Sequence, residues 1–272
     1  MNSPARPGEF TAHASITIGA DPEIVWRFLS EPERFGAWIG AYAGAPPLPG
    51  TSIDPRVGGK VRVQYPGDGM FASGEFVEID PPNRVVLTWG YEHGSHGIGP
   101  GESRIEITLT PVANGTRVDL RHSGLPDDDA ARGASGGWTH YLTMMARQAA
   151  AAQYEPNLAQ SVDAYFAAWS EPDAGNRRAL LDTCCEADVA MRGAFAMTSG
   201  VDALSSHIAG ALMHMPNMRL TADGAPQQMH GFARFRWTVN TPDGKVVMRG
   251  ANFARLSRTG QFMEIVSFGD GG

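Results

Sequence analysis

The sequence predicts two α+β domains in tandem, each an antiparallel sheet facing helices. Three observations lead there. Period-2 apolar runs bounded by turn residues recur along both halves, and amphipathic helical stretches stand at set places among them. Near Tyr154-Glu155-Pro156-Asn157 the pattern breaks off and restarts without repeating the first half. The boundary is placed there, giving domains 1–153 and 154–272, each long enough to bury its own core.

Taken in order, Phe10, Ala12, Ala14, Ile16 and Ile18 alternate with mostly polar residues, as in a half-buried strand that ends at Gly19. Asp21 as N-cap, Pro22 at the first helical position and the stripe Ile24, Val25, Phe28, Leu29 make a short amphipathic helix. A second short helix is expected over 32–38, before a Gly/Pro-rich stretch. Runs at 60–65, 71–79, 84–92, 102–110 and 116–122 are separated by PGDG, DPPN, a glycine loop and ANG, and they read as an antiparallel meander. The stretch WTHYLTMMARQAAAAQ, from about residue 137 to 152, is unbroken by Gly or Pro after Gly137 and rich in helix formers, so a long helix closes the half.

The second half opens with Leu158, Val162, Tyr165, Phe166 and Trp169 at helical spacing. A break at Ser170–Asp173 precedes a second helix through Leu180 and Leu181, and a strand follows over Val189–Phe195. Asp202 opens a third helix carrying Leu204, Ile208 and Leu212. Strands at 218–222, 227–240, 245–256 and 261–268 finish the chain, with Asp243-Gly244 as a hairpin signal.

Composition excludes several classes of function. The net charge is −7, with 12 basic against 17 acidic residues before residue 153 and 10 against 12 after it. Without a Lys/Arg run to displace counterions from phosphates, nucleic acid is not an expected partner. Of 22 basic residues only Lys60 and Lys245 are lysines, a bias that points to a G+C-rich bacterial genome. Cys184 and Cys185 are adjacent, a spacing that disulfide geometry disfavours, so free thiols are expected. The first ten residues lack an apolar core and no window approaches the ~18 apolar residues of a span, so no membrane is expected and the cytoplasm is the default. Eight histidines and two cysteines assemble no ligand spacing, so neither metal nor cofactor is expected.

The stretches IVWRFLSEPERFGAW (24–38), PRVGGKVRV (55–63), GEFVEIDPPNRVVLTW (74–89), ESRIEITLTPVANGTRVDLRHSGLP (102–126) and GWTHYL (137–142) make the first half resemble the SRPBCC (START-like) superfamily, in the branch of the heat-shock-protein-90 ATPase activator homologue. YFAAWSEPDAGNRRALL (165–181), GVDALSSHI (200–208), HGFARFRWTVNTPDGKVVMRGANFARL (230–256) and EIVSF (264–268) make the second resemble SnoaL-like proteins of the nuclear transport factor 2 superfamily. The resemblances imply a helix-grip domain followed by an α+β cone of three helices on a curved sheet. They also imply a homodimer through the C-terminal domain.

Both families imply ligands held between sheet and helix. In the first domain Trp38, Tyr65, Phe76, Trp89, Tyr91, Trp138 and Tyr141 are candidate wall residues, and His122 could polarise a bound carbonyl. Each is also an ordinary core residue on its own evidence. In the second, Tyr165, Trp169 and Trp237 are candidate walls. Asp188, His207 and His230 are the candidate proton-transfer groups, and Asn252 stands where SnoaL-like relatives often carry an acid. GASGG (133–137) formally fits the nucleophile elbow but lacks the strand before it, and reads as a lead into the helix with Ser135 as a cap. His93 and His96 read as solvated loop residues. The expected activity is binding of an apolar or polyketide-like small molecule. A cyclase or isomerase in the C-terminal domain, or self-resistance by sequestering a reactive natural product, are the alternatives.

Overall fold

The computed structural model describes residues 10–40, 46–67, 69–217 and 219–270, with the side chains of 94–96, His96 among them, outside that set. The chain is mixed α+β and divides into two compact units, 1–150 and 151–272.

The first unit comprises β1 (Phe10–Ile18), α1 (Pro22–Ser30), α2 (Pro32–Phe35), β2 (Ser52–Ile53), β3 (Lys60–Gln64), β4 (Phe71–Asp80) and β5 (Arg84–Tyr91). A 3-10 turn (Glu92–Gly97) leads to β6 (Ser103–Val112), β7 (Gly115–Leu125) and the start of α3 (Asp128–Ala168). The strands form one antiparallel sheet in the order β1-β7-β6-β5-β4-β3-β2, so the first strand closes on the last. Alternation places Ile105, Ile107 and Leu109 of β6 and Val118, Leu120 and His122 of β7 in the interior.

Two features of α3 differ from the sequence reading. It begins nine residues early, because the Asp127 carboxylate accepts from the Ala130 N–H (2.7 Å) and Asp128 and Asp129 complement the first turn. GASGG is therefore helical. A Cβ at Gly133, Gly136 or Gly137 would meet nothing within 4 Å, and Ser135 does not cap but accepts from the His13 backbone N–H (3.3 Å). The helix also runs through Tyr154–Asn157, where a break was expected. Pro156 removes a single backbone donor, and the stripe Leu158, Val162, Tyr165, Phe166 stays buried beyond it.

The second unit holds the rest of α3, then α4 (Ala174–Cys184), β8 (Cys185–Gly193), β9 (Ala196–Ser199), α5 (Val201–His214) and β10 (Arg219–Ala222). It continues with β11 (Gln227–Met229), β12 (Phe232–Asn240), β13 (Val246–Leu256) and β14 (Phe262–Gly269). Sheet order is β10-β12-β13-β14-β8-β9, with β11 beside β12, and the β14/β8 pair alone is parallel. The single strand expected at 189–195 is a hairpin, β8 with β9. The one expected at 227–240 is split where His230 and Gly231 take positive φ (52° and 82°). One face of this sheet, carrying Ala233, Phe235, Trp237, Gly250, Asn252, Ala254, Phe262 and Ile265, is buried. Gly250 is required there, since a Cβ would lie 2.3 Å from the Trp237 ring.

Candidate functional site

Each unit presents a cluster of rings between sheet and helix. In the first, Trp138 of α3 meets Trp89 of β5 at 5.8 Å and Tyr141 at 6.3 Å between ring centroids. Tyr65 completes the group, 6.1 Å from both Tyr91 and Tyr141. Burial raises the Tyr65, Tyr91 and Tyr141 phenols above their ordinary value, so all three stay protonated and can donate. The buried Trp89 Nε1–H faces the Tyr91 hydroxyl without reaching good hydrogen-bond geometry.

His122 lies at the edge of this cluster with both ring nitrogens engaged. Trp138 Nε1–H donates to Nδ1 (3.1 Å), and Ser103 Oγ lies 2.8 Å from Nε2 while donating to the Trp89 carbonyl (2.7 Å). An indole N–H can only donate, so Nδ1 carries the lone pair and Nε2 the proton. The chain of donors thus runs from Trp138 through His122 and Ser103 to Trp89. Burial lowers the His122 pKa to about 4, and a second proton at Nδ1 would also oppose the Trp138 N–H.

Of the other first-unit candidates, Trp38 is held away from the cluster, its Nε1–H donating to the Phe28 carbonyl (2.8 Å) with Phe35 against its ring. Phe76 is buried on β4. The cavity formed by the polar residues His13, Ser15, Glu106, Arg117 and Asp119 opens elsewhere, on the strand positions that alternate away from this core.

In the second unit Tyr165 is the hub, with Phe235 and Phe262 each 5.9 Å away and Trp169 at 6.2 Å. Phe235 and Phe262 stack at 5.4 Å. Burial raises the Tyr165 phenol far above its usual range. The buried Trp169 Nε1–H faces the Tyr165 hydroxyl without reaching good hydrogen-bond geometry, and His207 of α5 stands edge-on to its ring at 5.6 Å. Partial burial lowers the His207 pKa, so the imidazole is neutral at pH 7. On the sheet, Trp237 Nε1–H donates to Asn252 Oδ1 (3.1 Å), which fixes the buried amide.

The remaining second-unit candidates do not join this group. Asp188 and His230 are exposed, His230 at the turn between β11 and β12. Cys184 and Cys185 are buried free thiols with sulfurs 3.8 Å apart. The Cys184 neighbour and burial hold the Cys185 thiol far above the usual range, which makes it inert. Among the described residues no three His, Cys, Asp or Glu side chains gather around one point, and no helix is long and apolar enough to cross a membrane. Sequence reasoning missed Ser103, Phe235 and Phe262. Their period-2 positions on strands were the available signal, and it does not single out a site.

Residues 19–150 match the family described as Activator of Hsp90 ATPase homolog 1-like protein. No curated protein matches the chain. Among solved structures, a protein of the SnoaL-like family from Agrobacterium tumefaciens is 27% identical, covers 43% of this chain and 99% of its own, and has a TM-score of 0.41. Protein MLL2253 from Mesorhizobium loti is 23% identical over 50% of this chain and 94% of its own, with a TM-score of 0.42. The Aha1 dimer from Colwellia psychrerythraea is 19% identical over 49% of this chain and 90% of its own, with a TM-score of 0.38.

Proposed function

We propose that this chain binds an apolar, ring-bearing small molecule with a carbonyl or similar acceptor, in one or both units. The carrying observation is that each ring cluster contains a buried indole N–H that makes no well-formed hydrogen bond, Trp89 with only the Tyr91 hydroxyl to turn to and Trp169 with only that of Tyr165. A buried donor left wholly unpaired costs about 1–3 kcal/mol, and a ligand oxygen in better geometry recovers part of that on binding. The surrounding rings supply apolar contact, and the Tyr141 hydroxyl and the Asn252 amide supply further polar groups. The test is a titration of the full chain with an aromatic ketone, followed by tryptophan fluorescence. Saturable quenching that Trp169→Phe or Trp89→Phe weakens supports the reading, and a response that never saturates ends it.

A second reading, proton transfer beside a carbonyl, is favoured by one residue. Partial burial lowers the His207 pKa and its imidazole stands edge-on to the Trp169 ring, which puts a base in the same cluster as a poorly matched indole N–H. Deuterium exchange into a 1,3-dicarbonyl probe that His207→Gln abolishes would support it. Exchange that persists in that variant would assign the chemistry elsewhere.

A further inference from the structure

The sheet of the first unit carries a cavity of about 400 Å³ on the side facing away from the Trp89–Trp138 ring cluster. Cross-strand register builds it. His13 of β1 lies opposite Arg121 of β7, which lies opposite Glu106 of β6, and two residues along the strands Ser15, Asp119 and Thr108 form a second row. Directly paired residues of an antiparallel sheet point to the same side, so the six side chains share one face.

The two rows differ in how far their charges are satisfied. In the second, Asp119 accepts from Arg117 Nε through both oxygens (3.1 and 2.9 Å) and from the Ser15 hydroxyl. In the first, Glu106 is drawn away from Arg121 to Arg84, whose Nε and Nη2 both reach Oε1 at 3.2 Å. Glu106 Oε2 is left open. Among the described residues neither the Arg121 guanidinium nor the His13 imidazole has a hydrogen bond or ion pair. Opposite charges at paired positions ordinarily meet each other. Here a free cation and an open carboxylate oxygen stand on neighbouring strands, about 5 Å apart at the backbone, on the wall of a cavity.

We propose that this cavity binds a small zwitterion of the α-amino acid class, its carboxylate on Arg121 and His13 and its ammonium on Glu106. A guanidinium takes a carboxylate through two parallel N–H donors, and an ammonium is a compact cation that suits the open Oε2. One carbon separates the two charges of an α-amino acid, so a single molecule answers both members of one cross-strand pair. Ser15 and Thr108 add hydroxyls for a polar side chain. A bare anion such as phosphate would gain Arg121 but meet Glu106 beside it, and a bare amine would gain Glu106 but meet Arg121. Arg117 and Arg121 balance Glu106 and Asp119 along the wall, which favours a ligand of no net charge.

The test is isothermal titration of the full chain with L-glutamine, its deaminated analogue glutaramic acid, its decarboxylated analogue 4-aminobutanamide and inorganic phosphate. Arg121 is exposed and Glu106 half-buried, so R121Q and E106Q are expected to fold, and unchanged melting curves check this. The proposal requires saturable glutamine binding, at least tenfold tighter than that of the other three probes and at least tenfold weaker in R121Q. E106Q should weaken glutamine at least fivefold and tighten glutaramic acid at least twofold, a change of sign that the loss of a merely structural ion pair to Arg84 would not produce. No saturable heat with glutamine, phosphate or glutaramic acid binding as tightly, or glutamine affinity unchanged in folded R121Q overturns the proposal. So does E106Q weakening glutamine and glutaramic acid alike. Should either variant not fold, H13A carries the comparison, with at least a threefold loss of glutamine affinity expected and no loss overturning the proposal.

Discussion

Both units set a histidine edge-on against a tryptophan, His122 against Trp138 at 5.9 Å and His207 against Trp169 at 5.6 Å. Burial lowers the pKa of each. They differ in what their nitrogens do. His122 has an acceptor nitrogen filled by Trp138 and a donor nitrogen spent on Ser103, so it is a structural link with nothing left for a ligand. His207 has no hydrogen-bond partner among the described residues, and the N–H of its tryptophan neighbour makes no well-formed hydrogen bond. The comparison teaches that a neutral imidazole beside an indole becomes chemically available only when the surrounding polar groups leave it unmatched. The largest expected effect follows. His122→Leu strands the Trp138 N–H, takes the donor from the Ser103 oxygen and should cost about 3 kcal/mol in urea unfolding. His207→Gln, at a partly exposed site, should stay within about 0.5 kcal/mol. Equal losses would erase the distinction.

Acid should separate the two next. With a folded pKa of about 4 against an ordinary 6.5, His122 binds its extra proton more readily in the unfolded chain. Its contribution is complete above pH 6.5 and is lost as the pH falls from there through 4. The expected loss is about 2 kcal/mol by pH 5 and about 3 kcal/mol in all, at 1.36 kcal/mol per unit. Unfolding midpoints of wild type and His122→Leu between pH 7 and 4.5 measure it. The two curves should converge on acidification. Parallel curves would mean that the Nδ1 lone pair is not what is being protected.

The architecture was legible because period-2 runs and turn residues are local signals, which α1, β1 and the β4–β7 meander follow closely. The errors lay where a local rule met a tertiary one. Glycines 133, 136 and 137 forbid nothing on an exposed helix face once Asp127–Asp129 secure the N-terminus, and Pro156 did not end a helix whose apolar stripe continues. Aromatic type alone brought Trp89, Trp138, Tyr165 and Trp169 into the candidate set, yet it also brought in Trp38, which only seals α1. Asp188 and His230 were plausible by chemistry and exposed in fact, because strand parity near a bulge or a positive-φ turn cannot be counted reliably from sequence. Which indole N–H lacks a well-formed hydrogen bond is a property of the assembled interior and has no local signal.

The ligand reading is sharpened by removing one donor while keeping its ring. Trp169→Phe deletes the Nε1–H and should weaken an aromatic ketone about tenfold, the 1.4 kcal/mol expected of one hydrogen bond to a buried donor. Trp138→Phe makes the contrast, because its N–H is already spent on His122, so affinity should hold while stability falls. Isothermal titration with the two variants decides between them, and an equal loss of affinity in both would mean that ring area, not the Trp169 donor, is what binds.

The smallest effect expected is none, and it tests the direction of the His122 chain. Ser103 and His122 at 2.8 Å look like a nucleophile with its base. A base must offer a lone pair to the serine, however, and here the lone pair is on Nδ1, facing an indole that can only donate. Nε2 therefore presents its proton to Ser103, whose own proton is directed to the Trp89 carbonyl. Reversing the tautomer would set Nδ1–H against the Trp138 N–H and break two hydrogen bonds at once. A serine-reactive fluorophosphonate should accordingly leave the protein unlabelled at pH 8, as judged by intact mass. A single adduct that Ser103→Ala eliminates would mean that the chain runs the other way, and that the first unit, not the second, holds the reactive histidine.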